Sequence, residues 1–146
     1  MTPCVVFGME ESSVMATEEE IRVAVRKMEA EHQNLEDRLQ HLKDGLLAGK
    51  KSEVLVERLI ELIRVIKVHQ EHEEELLAKA GFPGSEEHHI AHDQLLANVL
   101  KLQARFMSDT EEPFTMESLH SIQKWLEEHF AEVDKEYLLY LHASVV

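Results

Sequence analysis

Four apolar ladders that climb in alternating steps of four and three residues constrain this chain more than any other feature. The first runs Ile21, Val25, Met28, His32, Leu35, Leu39, Leu42, and the second Leu55, Leu59, Leu62, Ile66, His69, Glu73, Leu76. The third is His88, His92, Leu95, Val99, Leu102, Phe106, and the fourth Ile122, Leu126, His129, Val133. Residues three and four apart share one face of a helix, so each ladder is a seam that has to be buried against other helices.

The punctuation between the ladders agrees with this reading. Thr17-Glu18-Glu19-Glu20 is a capping box and starts the first helix. Gly45 reads as its stop. Ser52 and Ser85 read as the caps of the second and third helices. In Ala80-Gly81-Phe82-Pro83, Gly81 suits a left-handed cap, Phe82 can fold back on the last turn and Pro83 forbids continuation. Ser108 to Pro113 reads as a loop, and Thr115 or a neighbour starts the fourth helix. The expected fold is all-α: an antiparallel up-down-up-down four-helix bundle over residues 17–146, preceded by a short N-terminal leader or arm over residues 1–16.

With 146 residues the chain is long enough for one domain with a proper core. Its formal net charge of −14 argues against nucleic acid or an anionic membrane as a partner, since both demand a basic patch. No apolar run approaches the ~18–20 residues needed to span a bilayer. The first positive side chain is Arg22, so the N-terminus lacks the pattern of a signal peptide and a cytoplasmic protein is expected, as a monomer or weak homo-oligomer. The single cysteine, Cys4, leaves no intramolecular disulfide and no thiolate cluster.

The seams also hold residues that do not belong in an apolar core. Burying a carboxylate with no partner costs several kcal/mol, so Glu73, between Ile66 and Leu76, has to be neutralised. Five seam histidines (His32, His69, His88, His92, His129) converge on the same interior. A lone seam histidine is more often a hydrogen-bonded core residue than a ligand, and one His-x-x-x-His is weak. Five of them with a seam Glu and a flanking Asp, spread over four helices, reverse those odds.

Counted along the helices at ~1.5 Å per residue, His92, His129 and Asp134 fall within about two turns of one another. Glu73 and His88 each lie within about two turns of the connection at Gly81, and His32 fits least closely. Asp134, five residues after His129, is rotated ~140° from it on an α-helix. The pair therefore cannot stack on one face and is expected to straddle the seam, which suits a carboxylate bridging two metals. Imidazole with carboxylate is a donor set for iron and other first-row transition metals, not for calcium or magnesium. His41, His72, His89, His120 and His142 lie off the seams and read as solvated or helix-end residues, with His72 and His89 close enough to support the inner ring. Of the run Glu73-Glu74-Glu75, only Glu73 is expected to point inward.

This pattern resembles that of the hemerythrin family, bacterial hemerythrins in particular, over roughly His32 to Tyr137. The family order is a first-helix His, then His-x3-Glu, Gly-aromatic-Pro, His-x3-His and Trp-Leu-x2-His-x4-Asp. Here it reads His32; His69 and Glu73; Gly81-Phe82-Pro83; His88 and His92; and Trp125-Leu126-Glu127-Glu128-His129 with Asp134. The resemblance implies a non-haem site of two iron ions with a bridging oxo or hydroxo group. One iron takes His88, His92 and His129, the other His32 and His69, and Glu73 and Asp134 bridge both.

The second iron is then five-coordinate, with a position where O2 binds reversibly and where nitric oxide or small anions such as azide also fit. By match to family positions, Leu35, Gln70, Trp125, Leu126 and Phe130 line the O2 pocket. Gln70 is a departure, because bacterial hemerythrins usually carry Phe there, and a polar wall is expected to speed autoxidation. Five imidazoles to two carboxylates favour carrying O2 for storage, delivery or sensing over activating it. The alternative is a di-iron redox enzyme acting on nitric oxide, peroxide or O2, and a third reading is a structural or metal-buffering bundle holding zinc.

Overall fold

The computed structural model describes residues 17–107 and 113–144, apart from the side chains of Glu132, Val133, His142 and Ser144. The expected arm (residues 1–16), the loop over residues 108–112, the seam place of Val133 and the helix-end place of His142 lie outside the described residues. Helix α1 spans Glu18–Leu47, α2 Ser52–Ala80, α3 Ser85–Phe106 and α4 Met116–Glu128. The last helix then passes through a π-helical segment, His129–Asp134, into α5, Lys135–Ser144.

Two of the expected starts are built as the sequence indicates. At α1 the Thr17 hydroxyl accepts from the Glu20 N–H at 3.1 Å, and the Glu20 carboxylate accepts from the Thr17 N–H at 2.8 Å. At α4 the Thr115 hydroxyl accepts from the Ser118 N–H at 3.2 Å. The two serine caps are not. Lys51 precedes α2 without a side-chain cap bond and Ser52 is already helical. Gly84 precedes α3, and the Ser85 hydroxyl instead donates to the Phe82 carbonyl at 2.8 Å, which fastens the turn.

Gly45 does not stop α1. It lies buried inside the helix, where a Cβ would stand 2.7 Å from Nη1 of Arg58. That guanidinium donates to the His41 carbonyl at 2.8 Å, so the missing side chain lets an α2 arginine cross close over α1. The left-handed residue after α1 is Gly49, with φ 70°, and the one after α2 is Gly81, with φ 68°, as expected. Phe82 folds back and is buried, its ring 5.3 Å from that of Tyr140.

The short connections make α1 and α2, and α2 and α3, antiparallel neighbours, and α4 with its continuation packs on α3 and α1. Every described ladder residue is buried or half-buried. The apolar ones form two separate clusters. The larger gathers Leu35, Leu42, Leu59, Leu62, Ile66, Val99 and Ile122 towards one end of the bundle. The smaller gathers Ile21, Met28, Leu76, Leu77, Phe82, Tyr137 and Leu141 towards the other. The layer between them is polar and holds His32, His69, Glu73, His88, His92, His129 and Asp134. Among the described residues no helix is long and apolar enough to cross a membrane.

Candidate metal centre

Each element delivers its part of this layer by the seam that packs it. On α1, His32 stands between Met28 and Leu35, both buried. On α2, His69 and Glu73 are four apart and share a face, as do His88 and His92 on α3. The fourth contribution departs from expectation. His129 and Asp134 do not straddle an α-helical seam, because the stretch between them is π-helical. Bonding from each residue to the fifth along brings Asp134 about one turn beyond His129, and His129 Nε2 lies 3.0 Å from Asp134 Oδ1.

The two carboxylates divide their oxygens in the same way. Glu73 Oε1 lies 2.5 Å from His88 Nε2 and 2.8 Å from His92 Nε2, while its Oε2 lies 3.0 Å from His69 Nε2 and 3.6 Å from His32 Nε2. Asp134 Oδ1 lies 3.0 Å from His129 Nε2 and 3.3 Å from His88 Nε2, while its Oδ2 lies 3.1 Å from His32 Nε2. The seven side chains therefore form two sets: His88, His92 and His129, and His32 with His69. Each set faces one oxygen of Glu73 and one of Asp134, and the ligand atoms of each lie within 4.8 Å of one another. Both carboxylates are fully buried.

The groups of this layer compensate one another only in part. Burial opposes ionisation of Glu73, but the facing imidazoles of His32, His69, His88 and His92 outweigh it and hold the carboxyl far below the usual range. Burial likewise opposes charging of His32, but the Asp134 and Glu73 carboxylates raise its pKa to about 9. His69 is raised in the same sense: burial opposes its charge and Glu73 overcomes it. Even so, His32 Nε2, His69 Nε2 and both oxygens of Asp134 are buried with no hydrogen-bond partner among the described residues. They approach opposite charge at the distances above, but in directions that do not make hydrogen bonds. Buried polar atoms that converge without pairing call for an ion between them. Nitrogen and oxygen donors with no thiolate suit a first-row transition metal, so the residues present fit a metal ion.

Three side chains around this layer were not singled out by sequence. Tyr137, fully buried, donates its hydroxyl to Glu73 Oε2 at 2.7 Å. Burial first, then the charges of Glu73 and Asp134, keep that phenol far above its ordinary pKa of 10. Glu31 accepts from His69 Nδ1 at 2.9 Å and from His72 Nδ1 at 2.6 Å. Glu74 accepts from His92 Nδ1 and from His89 Nδ1, both at 2.8 Å. Glu74 does not point into the layer and its side chain stays 34% exposed, but the two imidazoles hold it in place and, against the opposing effect of burial, lower its pKa. A signal for these pairs was present, since both His69 and His92 have a second histidine three residues away, on the same helix face.

The residues expected to wall a small-molecule pocket are only partly gathered. Leu35 is buried beside His32, and the half-buried Phe130 ring lies 4.4 Å from the His32 ring. Leu126 and Phe130 line a groove of about 290 Å³ between α1 and α4. Trp125 instead faces the groove between α3 and α4, together with His129. Gln70 is buried, and its amide donates to the His92 carbonyl at 3.2 Å.

Residues 23–141 match the family described as Hemerythrin HHE cation binding domain. Among curated proteins, the chain is 23% identical over 124 residues to a bacteriohemerythrin of Clostridium acetobutylicum, an alignment covering 82% of this chain and 95% of the relative. It is 28% identical over 107 residues to a bacteriohemerythrin of Methylococcus capsulatus, covering 73% of this chain and 80% of the relative. No solved structure matches at a significant level. The family match reaches into every helix and takes in all seven side chains of the buried layer, and the chain belongs to the hemerythrin HHE cation-binding family.

Proposed function

We propose that the chain holds two iron ions in this layer and binds O2 reversibly at one of them. The supporting observation is the shared division of the carboxylates, with Oε1 and Oδ1 turned to one imidazole set and Oε2 and Oδ2 to the other. On this reading His88, His92 and His129 hold one iron, His32 and His69 hold the other, and Glu73 and Asp134 bridge them together with a solvent-derived oxo or hydroxo group. The His32–His69 set has one imidazole fewer, which leaves a position there for a small ligand. Bound there, a ferrous pair would supply the electrons that reversible O2 binding draws on.

Apolar side chains stand around that position. Leu35 and Leu126 are almost wholly buried, and the Phe130 ring covers His32. Tyr137 holds Oε2 of Glu73, the oxygen on the His32–His69 side, and so fixes the bridge where the small ligand arrives. Five imidazoles to two carboxylates limit over-oxidation of the metals and favour carriage of O2 over its activation.

The test is O2 titration of the anaerobic diferrous protein. A visible band that forms with O2 and disappears on its removal, over repeated cycles, is the expected result. Irreversible bleaching to the diferric state in the first cycle supports the redox-enzyme reading instead. Iron below two equivalents per chain, with zinc in its place, in protein made in iron-replete cells points to the metal-buffering one.

A further inference from the structure

Two carboxylates outside the ligand set are built alike. Glu31 reaches from α1 to α2, where Oε1 accepts from Nδ1 of His69 at 2.9 Å and Oε2 from Nδ1 of His72 at 2.6 Å. Glu74 reaches from α2 to α3, where Oε2 accepts from Nδ1 of His92 and Oε1 from Nδ1 of His89, each at 2.8 Å. In both, an inner imidazole that faces Glu73 through its Nε2 is backed at Nδ1 by a carboxylate whose other oxygen an outer imidazole grips. The side chains of His69 and His92 are 4% and 1% exposed, against 33% and 54% for His72 and His89. Each chain of three therefore runs from the buried layer to the surface, and there is one on each side of the layer.

We propose that Glu31 and Glu74 are positioning residues, one for each half of the centre, which hold His69 and His92 with Nε2 turned to the metal. The inference rests on the two-iron reading above. A neutral imidazole has one N–H and one lone pair, so giving the N–H of Nδ1 to a carboxylate leaves the lone pair on Nε2 and fixes the plane of the ring. The second imidazole matters because it occupies the other oxygen. A glutamate held at one oxygen is free to swing about its side chain, whereas one held at both is not. His72 and His89 are thus props for the glutamates and reach no metal. Surface ion pairs of this kind contribute little on their own, but here the inner partner is buried and its orientation sets a ligand.

Anaerobic titration of the metal-free protein with ferrous iron, in competition with a chelator, tests this, with 57Fe Mössbauer spectra of the loaded proteins. In Glu31→Ala the loss, about 10- to 100-fold in affinity, falls chiefly on one equivalent, and Glu74→Ala weakens the other. The quadrupole doublet altered by one substitution is the one spared by the other. Glu31→Gln and Glu74→Gln, which keep one acceptor oxygen, recover part of the loss, and His72→Ala and His89→Ala show smaller losses in the same equivalents as their glutamates. Wild-type affinity for both equivalents in Glu31→Ala and Glu74→Ala overturns the inference and leaves the two-iron reading intact. So does an equal weakening of both equivalents that matches a lowered melting temperature of the metal-free variants, since that marks damage to the fold. Failure of the wild-type chain itself to take up two equivalents overturns the two-iron reading instead.

Discussion

Glu73 meets Nε2 of four imidazoles and the Tyr137 hydroxyl with two oxygens and no water-facing surface. A hydrogen bond to a charged, buried acceptor contributes more than an ordinary one, so Tyr137→Phe is expected to lower the stability of the metal-free protein by about 1.5–3 kcal/mol, read by urea denaturation. His32 gives a pH dependence of definite sign. Its pKa is raised from 6.5 to about 9 in the folded protein, so its contribution is full below about pH 6.5 and lost as pH rises through about 9. The metal-free protein is expected to melt at a lower temperature above pH 9 than near pH 6.5; equal melting temperatures contradict this. Gln70 puts a buried polar amide beside the layer, and it donates to the His92 carbonyl. Gln70→Phe is expected to slow autoxidation of the O2-bound protein, and an unchanged rate in air contradicts that role. His32 and Glu73 were legible in the sequence, because a polar side chain on an apolar ladder needs a reason, and Gln70 was legible only through its match to a family position. Tyr137 was not, because a buried tyrosine reads as core until its hydroxyl's partner is known.

At the scale of the element, periodicity carried the helices. Their ladders alternate without a break, and the described positions are the ones the bundle buries. Ends were less legible. The serines at the starts of α2 and α3 and the glycine near the end of α1 have cap chemistry, but their neighbours and the crossing of Arg58 decide what they do. The π-helical stretch was hidden for a simpler reason: an angle counted on α-helical geometry separates His129 from Asp134, and only an extra residue in the turn reunites them. That makes a test of register. Inserting one alanine after the exposed Ala131 rotates Asp134 and Tyr137 by ~100° and is expected to abolish iron uptake with helical circular dichroism retained. Deleting Ala131 turns the stretch α-helical, keeps Asp134 on the His129 face and is expected to preserve uptake. Loss of iron in both variants to the same extent would show that the π-turn itself is needed.

Across the whole molecule, a polar layer separates two apolar clusters, and the same helices that pack those clusters bring seven donors to one depth. The sequence showed which residues could meet, since six of them sit on a seam and Asp134 flanks one. It did not show that Glu31 and Glu74 back the inner ring, because that depends on how neighbouring helices are rotated against one another. It also did not show that Trp125 and Phe130 face different grooves. A bundle with two buried carboxylates at its middle is expected to gain from iron as a ligand-linked equilibrium does, by about 2.7 kcal/mol when free iron is a hundredfold above its dissociation constant. Chelation under anaerobic conditions should therefore lower the melting temperature and re-addition of ferrous iron restore it. The most direct measurement is an anomalous difference map of the iron-loaded crystal at the iron absorption edge. Two peaks per chain are predicted, both between Glu73 and Asp134, one against His88, His92 and His129 and the other against His32 and His69. A single peak, or none in that layer, contradicts the account.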